Sequence, residues 1–171
     1  ASIILSLIFS KIDNSISAGA RNIYINRVWK GGESMIIIKD DGHGMSDEEI
    51  IQAMRPGAQN PLVERSLTDL GRFGLGLKTA SFSQCRNLTV ISKRTGKNVS
   101  FWTWNLDYVA LTNRWNLIRW LPDEYENILD DIESGTAVIW SNLDRVVSPL
   151  TKEDDEVFVI TESFERGLIF A

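Results

Sequence analysis

The chain has 171 residues, with 18 Lys and Arg against 23 Asp and Glu and a net charge of -5. That length holds one sizeable domain rather than two, and the acidic balance argues against broad nonspecific nucleic-acid binding by this segment. A single cysteine, Cys85, excludes an internal disulfide, and with a single His it leaves no zinc site of the usual kind; a reducing, cytoplasmic setting fits.

At the N-terminus, Ile3 to Phe9 has the look of a signal-peptide core but lacks a basic segment before it. Ser2, Ser6, Ser10, Asp13, Asn14 and Ser17 fall within an arc of roughly 120° on a helical wheel. The expectation is an amphipathic helix from about Ser2 to Ala18, closed by Gly19, and no membrane span, which needs about 20 apolar residues. The chain starts inside this pattern without Met and ends on Leu168-Ile169-Phe170-Ala171, so both ends read as cut from a longer protein.

Asn22 to Trp29 alternates apolar and polar residues and reads as a strand. Lys30-Gly31-Gly32 then turns it into a hairpin with the Met35 strand. Ser46 is an N-cap, and Glu49 three residues later completes a capping box for a helix carrying Ile50, Ile51 and Met54. Periodicity disappears after Gly57, where a polar stretch reads as a lid over about 57–72. A helix is expected over Leu75 to Gln84. Strands are expected at Leu88 to Lys93, Val99 to Trp104, Trp115 to Trp120 and Gly135 to Trp140. The tail from Thr151 begins with a capping residue and acids and reads as a final helix. This order describes an α+β two-layer sandwich, a mostly antiparallel mixed sheet with helices on one face. It places a domain over 1–150, with 151–171 leading to a missing downstream domain.

Two stretches could carry chemistry. In Met35-Ile36-Ile37-Ile38-Lys39-Asp40-Asp41-Gly42-His43-Gly44-Met45 a β-branched run ends in an acid, followed by two glycines. A carboxylate beside bare backbone at a strand end can grip a flat, hydrogen-bonding ligand. In Gly71-Arg72-Phe73-Gly74-Leu75-Gly76-Leu77-Lys78 a glycine-rich loop opens onto a helix, whose N–H groups and dipole favour an oxyanion. It has neither the dinucleotide-type nor the Walker A spacing.

Together with Asp13-Asn14-Ser15-Ile16-Ser17-Ala18-Gly19-Ala20 and Gly135-Thr136, these stretches form four ordered motifs over about residues 1 to 142. The chain thereby resembles the GHKL ATPases of the Bergerat fold: gyrase, the heat-shock chaperone, histidine kinases and MutL, with the closest look to the MORC-like and chaperone-like branches. The resemblance implies that ATP and Mg²⁺ bind. Asn14 would coordinate Mg²⁺ through its side-chain oxygen. Asp40 would accept from the adenine amino group, with Thr136 assisting through a water. Ala18 and Met45 would pack on the base. Ser17, Gly42 and Gly44 complete the boxes, and Gly71, Phe73, Gly74, Leu75, Gly76, Leu77 and Lys78 would hold the phosphates.

One departure stands out. ATP-hydrolysing members carry a Glu one helical turn before the Asn, and here that position is Ser10. The next position, normally apolar, is Lys11, and Ser17 replaces a common acid. Serine is a poor general base near neutral pH, and losing a positioned base costs about 10²–10⁴-fold in rate. The resemblance therefore leaves three readings open. They are the ATPase domain of a larger machine that dimerises and drives downstream domains, a non-hydrolysing ATP-gated switch, and, ranked last, a histidine kinase catalytic domain. Nucleic acid would enter only through missing domains. His43 reads as a turn residue, Cys85 as a core residue, Trp102 and Trp104 as packing residues and Asp41 as a solvent-facing neighbour. Arg65 and Arg72 read as mobile surface charge.

Overall fold

The computed structural model describes residues 2–28, 31–55, 85–143 and 156–161. Helix α1 spans Ser2–Ser17, strand β1 Asn22–Val28, β2 Met35–Asp40, α2 Asp47–Met54, β3 Asn87–Lys93, β4 Ser100–Asn105, α3 Leu106–Thr112, β5 Gly135–Ser141 and β6 Glu156–Thr161. The strands form one sheet in the order β4-β3-β5-β2-β1-β6. Every pairing in it is antiparallel.

The period-two alternation of the strands decides which side chains meet the helices. Ile23, Ile25, Ile36, Ile38, Leu88, Val90, Trp104, Val138 and Trp140 face one way, in a core with Leu7 and Ile12 of α1, Ile50 and Met54 of α2 and Val109 of α3. This is the expected two-layer α+β arrangement. The opposite face is also covered: Ile91, Ala137 and Ile139 pack with Tyr125 and Leu129, flanked by Leu121, Ile128 and Ile132. A segment with little regular structure (a single 3-10 turn at Asp123–Tyr125) closes that side.

The local signals for α2 hold. Ser46 Oγ accepts from Glu49 N, and Glu49 Oε2 accepts from Ser46 N at 2.8 Å, the two halves of a capping box. The two tryptophans of β4 then pin α2 at both ends: Trp102 Nε1 donates to Asp47 Oδ1 at 3.1 Å and Trp104 Nε1 to the Met54 carbonyl at 2.8 Å. Cys85 is buried in the core.

Four expectations need correction. The tail read as a helix contains β6, paired antiparallel with β1 from Asn22↔Thr161 to Arg27↔Glu156. Val157-Phe158-Val159-Ile160-Thr161 is a β-branched and aromatic run, and pairing to β1 outweighs the capping signal before it. Trp115 to Trp120 makes only an isolated bridge, Ile118 to Thr103, in place of a strand. Helix α3 goes unforeseen; Asn105 caps it by accepting from Tyr108 N at 2.9 Å. Finally, α1 is not divided as its polar arc suggests. Its buried stripe is Leu7, Lys11, Ile12 and Ser15, while Phe9 and Ile16 are exposed. The expected lid and the helix over Leu75 to Gln84 lie outside the described residues.

Candidate functional site

The site is built on one cross-strand row. Asp40, the last residue of β2, pairs with Thr136 of β5, which pairs in turn with Ser92 of β3. All three are buried and point to the helix face, so one end of an otherwise apolar surface becomes a polar floor. Asp40 Oδ2 accepts from Ser15 Oγ of α1 at 2.7 Å, and Oδ1 accepts from the Gly42 amide at 3.0 Å. Each carboxylate oxygen offers about two acceptor directions, so one remains on each. Ser92 Oγ accepts from Met45 N at 2.7 Å, donates to the Gly135 carbonyl at 3.0 Å and lies 2.8 Å from Thr136 Oγ1. With its single proton on Gly135, Ser92 leaves Thr136 as the donor in that pair and keeps two lone pairs on Thr136 for a ligand or water.

The two glycines after Asp40 are required by space. A side chain at Gly42 would come within 2.8 Å of the Ala18 carbonyl and 2.9 Å of its Cβ. Gly44 has φ +71°, and a Cβ there would lie 2.0 Å from the Lys93 carbonyl. The backbone between them threads between the end of α1 and the end of β3, held by His43 N donating to the Ala18 carbonyl at 2.9 Å. Ser134 Oγ adds a bond to the Gly42 carbonyl at 2.7 Å. The His43 ring turns to its own loop, with Nδ1 2.6 Å from the Gly44 carbonyl.

Asp41 is not the solvent-facing bystander that its position suggests. Its carboxylate accepts from the Arg21 and Asn22 amides and from Asn22 Nδ2 at 2.7–2.8 Å, tying the α1–β1 connection to the end of β2. Partial burial pushes its carboxyl up, but these donors outweigh that and hold it below the usual carboxylate range. Of the expected ATP-binding residues, Asp40, Gly42, Gly44 and Thr136 are thus brought together and buried, with Ala18 and Met45 half-buried beside them. Asn14 is half-buried on α1 and Ser17 is exposed at its end. Gly71, Phe73, Gly74, Leu75, Gly76, Leu77 and Lys78 lie outside the described residues.

Three site residues escaped the sequence reading or were given no role in it. Ser92 is a polar residue inside the apolar run of β3, the one signal that could have flagged it. Ser15 lies inside the quoted Asn14 motif and holds Asp40. Lys11 is 8% exposed in the α1 stripe; burial pushes its ammonium down and the Asp40 charge pushes it back up. Among the described residues no group of three or more His, Cys, Asp or Glu is placed to hold a metal ion, and no helix is long and apolar enough to cross a membrane.

A buried acid, backed by hydroxyls, thus sits between a helix and a glycine-bearing strand end of an α+β domain. The family model described as histidine kinase-, DNA gyrase B- and HSP90-like ATPase matches residues 6–136, and the chain belongs to that family. Curated relatives agree. ATPase morc-1 of Caenorhabditis elegans is 33% identical over 92 residues, 54% of this chain and 10% of that protein. The DNA mismatch repair protein MutL of Colwellia psychrerythraea is 41% identical over 92 residues, 52% of this chain and 14% of the protein. MutL of Dictyoglomus turgidum is 33% identical over 91 residues, 52% and 16% respectively. The aligned part of the chain spans under a fifth of each of these relatives.

Proposed function

We propose that the chain is a Mg·ATP-binding domain of a larger protein, with the adenine seated on the Asp40–Thr136–Ser92 row. Asp40 carries this reading. It is buried, oriented on both oxygens, and retains an acceptor direction suited to the adenine 6-amino group. A misplaced surface acid would not need Ser15 and the Gly42 amide to hold it still. Thr136 assists Asp40 through a water that it can hold. Ala18 and Met45 flank the base, and the Gly71 to Lys78 loop binds the phosphates.

The donor set also suits the magnesium. Asn14 is a single neutral oxygen with no carboxylate cluster around it among the described residues, too little to hold a free Mg²⁺. It is enough for one that arrives bound to nucleotide phosphates, since Mg²⁺ keeps waters and takes phosphate oxygens as ligands. Asn14 would hold the ion from α1, and a bound ion would supply charge neutralisation at the phosphates.

Hydrolysis is slow in this reading. Ser10 lies one helical turn before Asn14 on α1 and supplies no base. ATP binding, with closure of the 57–72 lid and dimerisation, then does the work that turnover does in a hydrolysing relative. The test measures Mg·ATP binding and phosphate release by the chain and by Ser10→Glu. The expected outcome is binding by both, with turnover at least about 10²-fold faster in the Glu variant. Turnover by the Ser10 protein at the rate of the variant would overturn the slow-hydrolysis reading.

A further inference from the structure

Lys11 places a charged side chain on the inward face of α1. It belongs to the buried stripe of α1, between Leu7 and Ile12 on one side and Ser15 on the other. Taking an ammonium out of water is costly unless something there uses it. Ser15, four residues on, is its neighbour on the same helix face, and Ser15 Oγ is bonded to Asp40 Oδ2 at 2.7 Å. Burial pushes the Lys11 ammonium down, and the Asp40 charge acts against that. Lys11 therefore sits one helical turn from the residue that holds Asp40, on the same inward face of α1.

We propose that Lys11 is a base-reading residue: it donates to N1 of the adenine whose 6-amino group Asp40 accepts. The inference rests on the adenine seat described above and extends it. On the Watson–Crick edge of adenine, a donor (the 6-amino group) lies next to an acceptor (N1). A carboxylate complements the first and can only repel the second. An ammonium, with three donors and no acceptor, complements the second. Thr136 approaches from the sheet and Lys11 from the helix, so the two sides of Asp40 are served by different elements. A site with an apolar residue at position 11 would have to leave N1 to water.

The test replaces one atom of the ligand. 1-Deaza-ATP carries C–H in place of N1 and keeps the 6-amino group and the phosphates. Dissociation constants are measured for Mg·ATP and Mg·1-deaza-ATP with the wild-type chain and with Lys11→Met. The wild type should bind the deaza analogue about 10- to 100-fold more weakly, the range of a hydrogen bond from a charged donor. Lys11→Met should bind the two nucleotides alike. Equal affinities in the wild type would overturn the proposal, and that arm needs no variant to fold. An equal loss for both nucleotides in Lys11→Met, with the wild-type preference kept, would move Lys11 to the phosphates and overturn it too. Absence of Mg·ATP binding altogether would instead refute the adenine seat, a result distinct from either.

Discussion

The two faces of the sheet differ most at one end. On the helix face, the ends of β2, β5 and β3 carry Asp40, Thr136 and Ser92, a buried polar row in which Asp40 and Thr136 keep open valences. One residue away along the same strands the other face carries Lys39 and Lys93. Their ammonium groups are spent on the covering segment: Lys39 Nζ bonds Asp131 at 2.8 Å, and Lys93 Nζ bonds the Ile132 carbonyl at 3.0 Å. Inward from these, Ile91, Ala137, Ile139, Leu129 and Tyr125 leave no polar floor. The same strands thus make a closed face, whose polar groups are used up internally, and a face whose polar groups are held in place but not exhausted. The proposed nucleotide seat rests on that surplus.

The contrast can be strained at three points. Leu129, 1% exposed beneath the closed face, should be the most costly to truncate. Leu129→Ala is expected to lose about 2–5 kcal/mol in denaturant unfolding, while the folded fraction keeps its nucleotide affinity. A loss of affinity in that fraction would tie the two faces together. Ser92→Ala should cost less, about 1–3 kcal/mol, because Met45 N and the Gly135 carbonyl lose a buried partner. Unlike Leu129→Ala it should also weaken nucleotide binding, since Thr136 loses its anchor.

The smallest effect belongs to Asp131. Its hydrogen bond to Lys39 holds the carboxyl below the usual range, so the folded state favours the ionised form. The stability it adds is present above the unfolded-state value and is lost as pH falls through the lower folded value. The Asp131 side chain is 66% exposed, and solvent screening limits the gain to under about 1 kcal/mol. Asp131→Asn should therefore lower stability slightly at neutral pH and leave it unchanged in strong acid. A difference that persists in acid would show that Asp131 contributes by packing instead.

Much of the open face was legible in the sequence because its signals are local. An apolar β-branched run stopping at Asp40, the glycines at 42 and 44 and the Ser46–Glu49 box each declare themselves within a few residues. The closed face was not legible. Residues 121–132 carry no helical or strand period, and their burial depends on the far side of a sheet whose order only folding reveals. The tail failed for a related reason: the acids and Thr151 suggested a helix start, but Val157 to Thr161 answers to the unpaired edge of β1. Ser92 and Lys11 went without roles because a polar residue in an apolar run has meaning only through what lies opposite it. For both residues that is the neighbourhood of Asp40, many residues away in sequence.

The most direct measurement is the dissociation constant of Mg·ATP for Asp40→Asn beside the wild type, with thermal unfolding as a check on folding. The amide keeps the size of the side chain but gives up one acceptor oxygen for a donor, so the Gly42 amide and the adenine amino group, both obligate donors, are left a single oxygen between them. The account predicts affinity weakened about 10- to 100-fold in a folded protein. A constant within twofold of the wild type would contradict the placement of the base on Asp40.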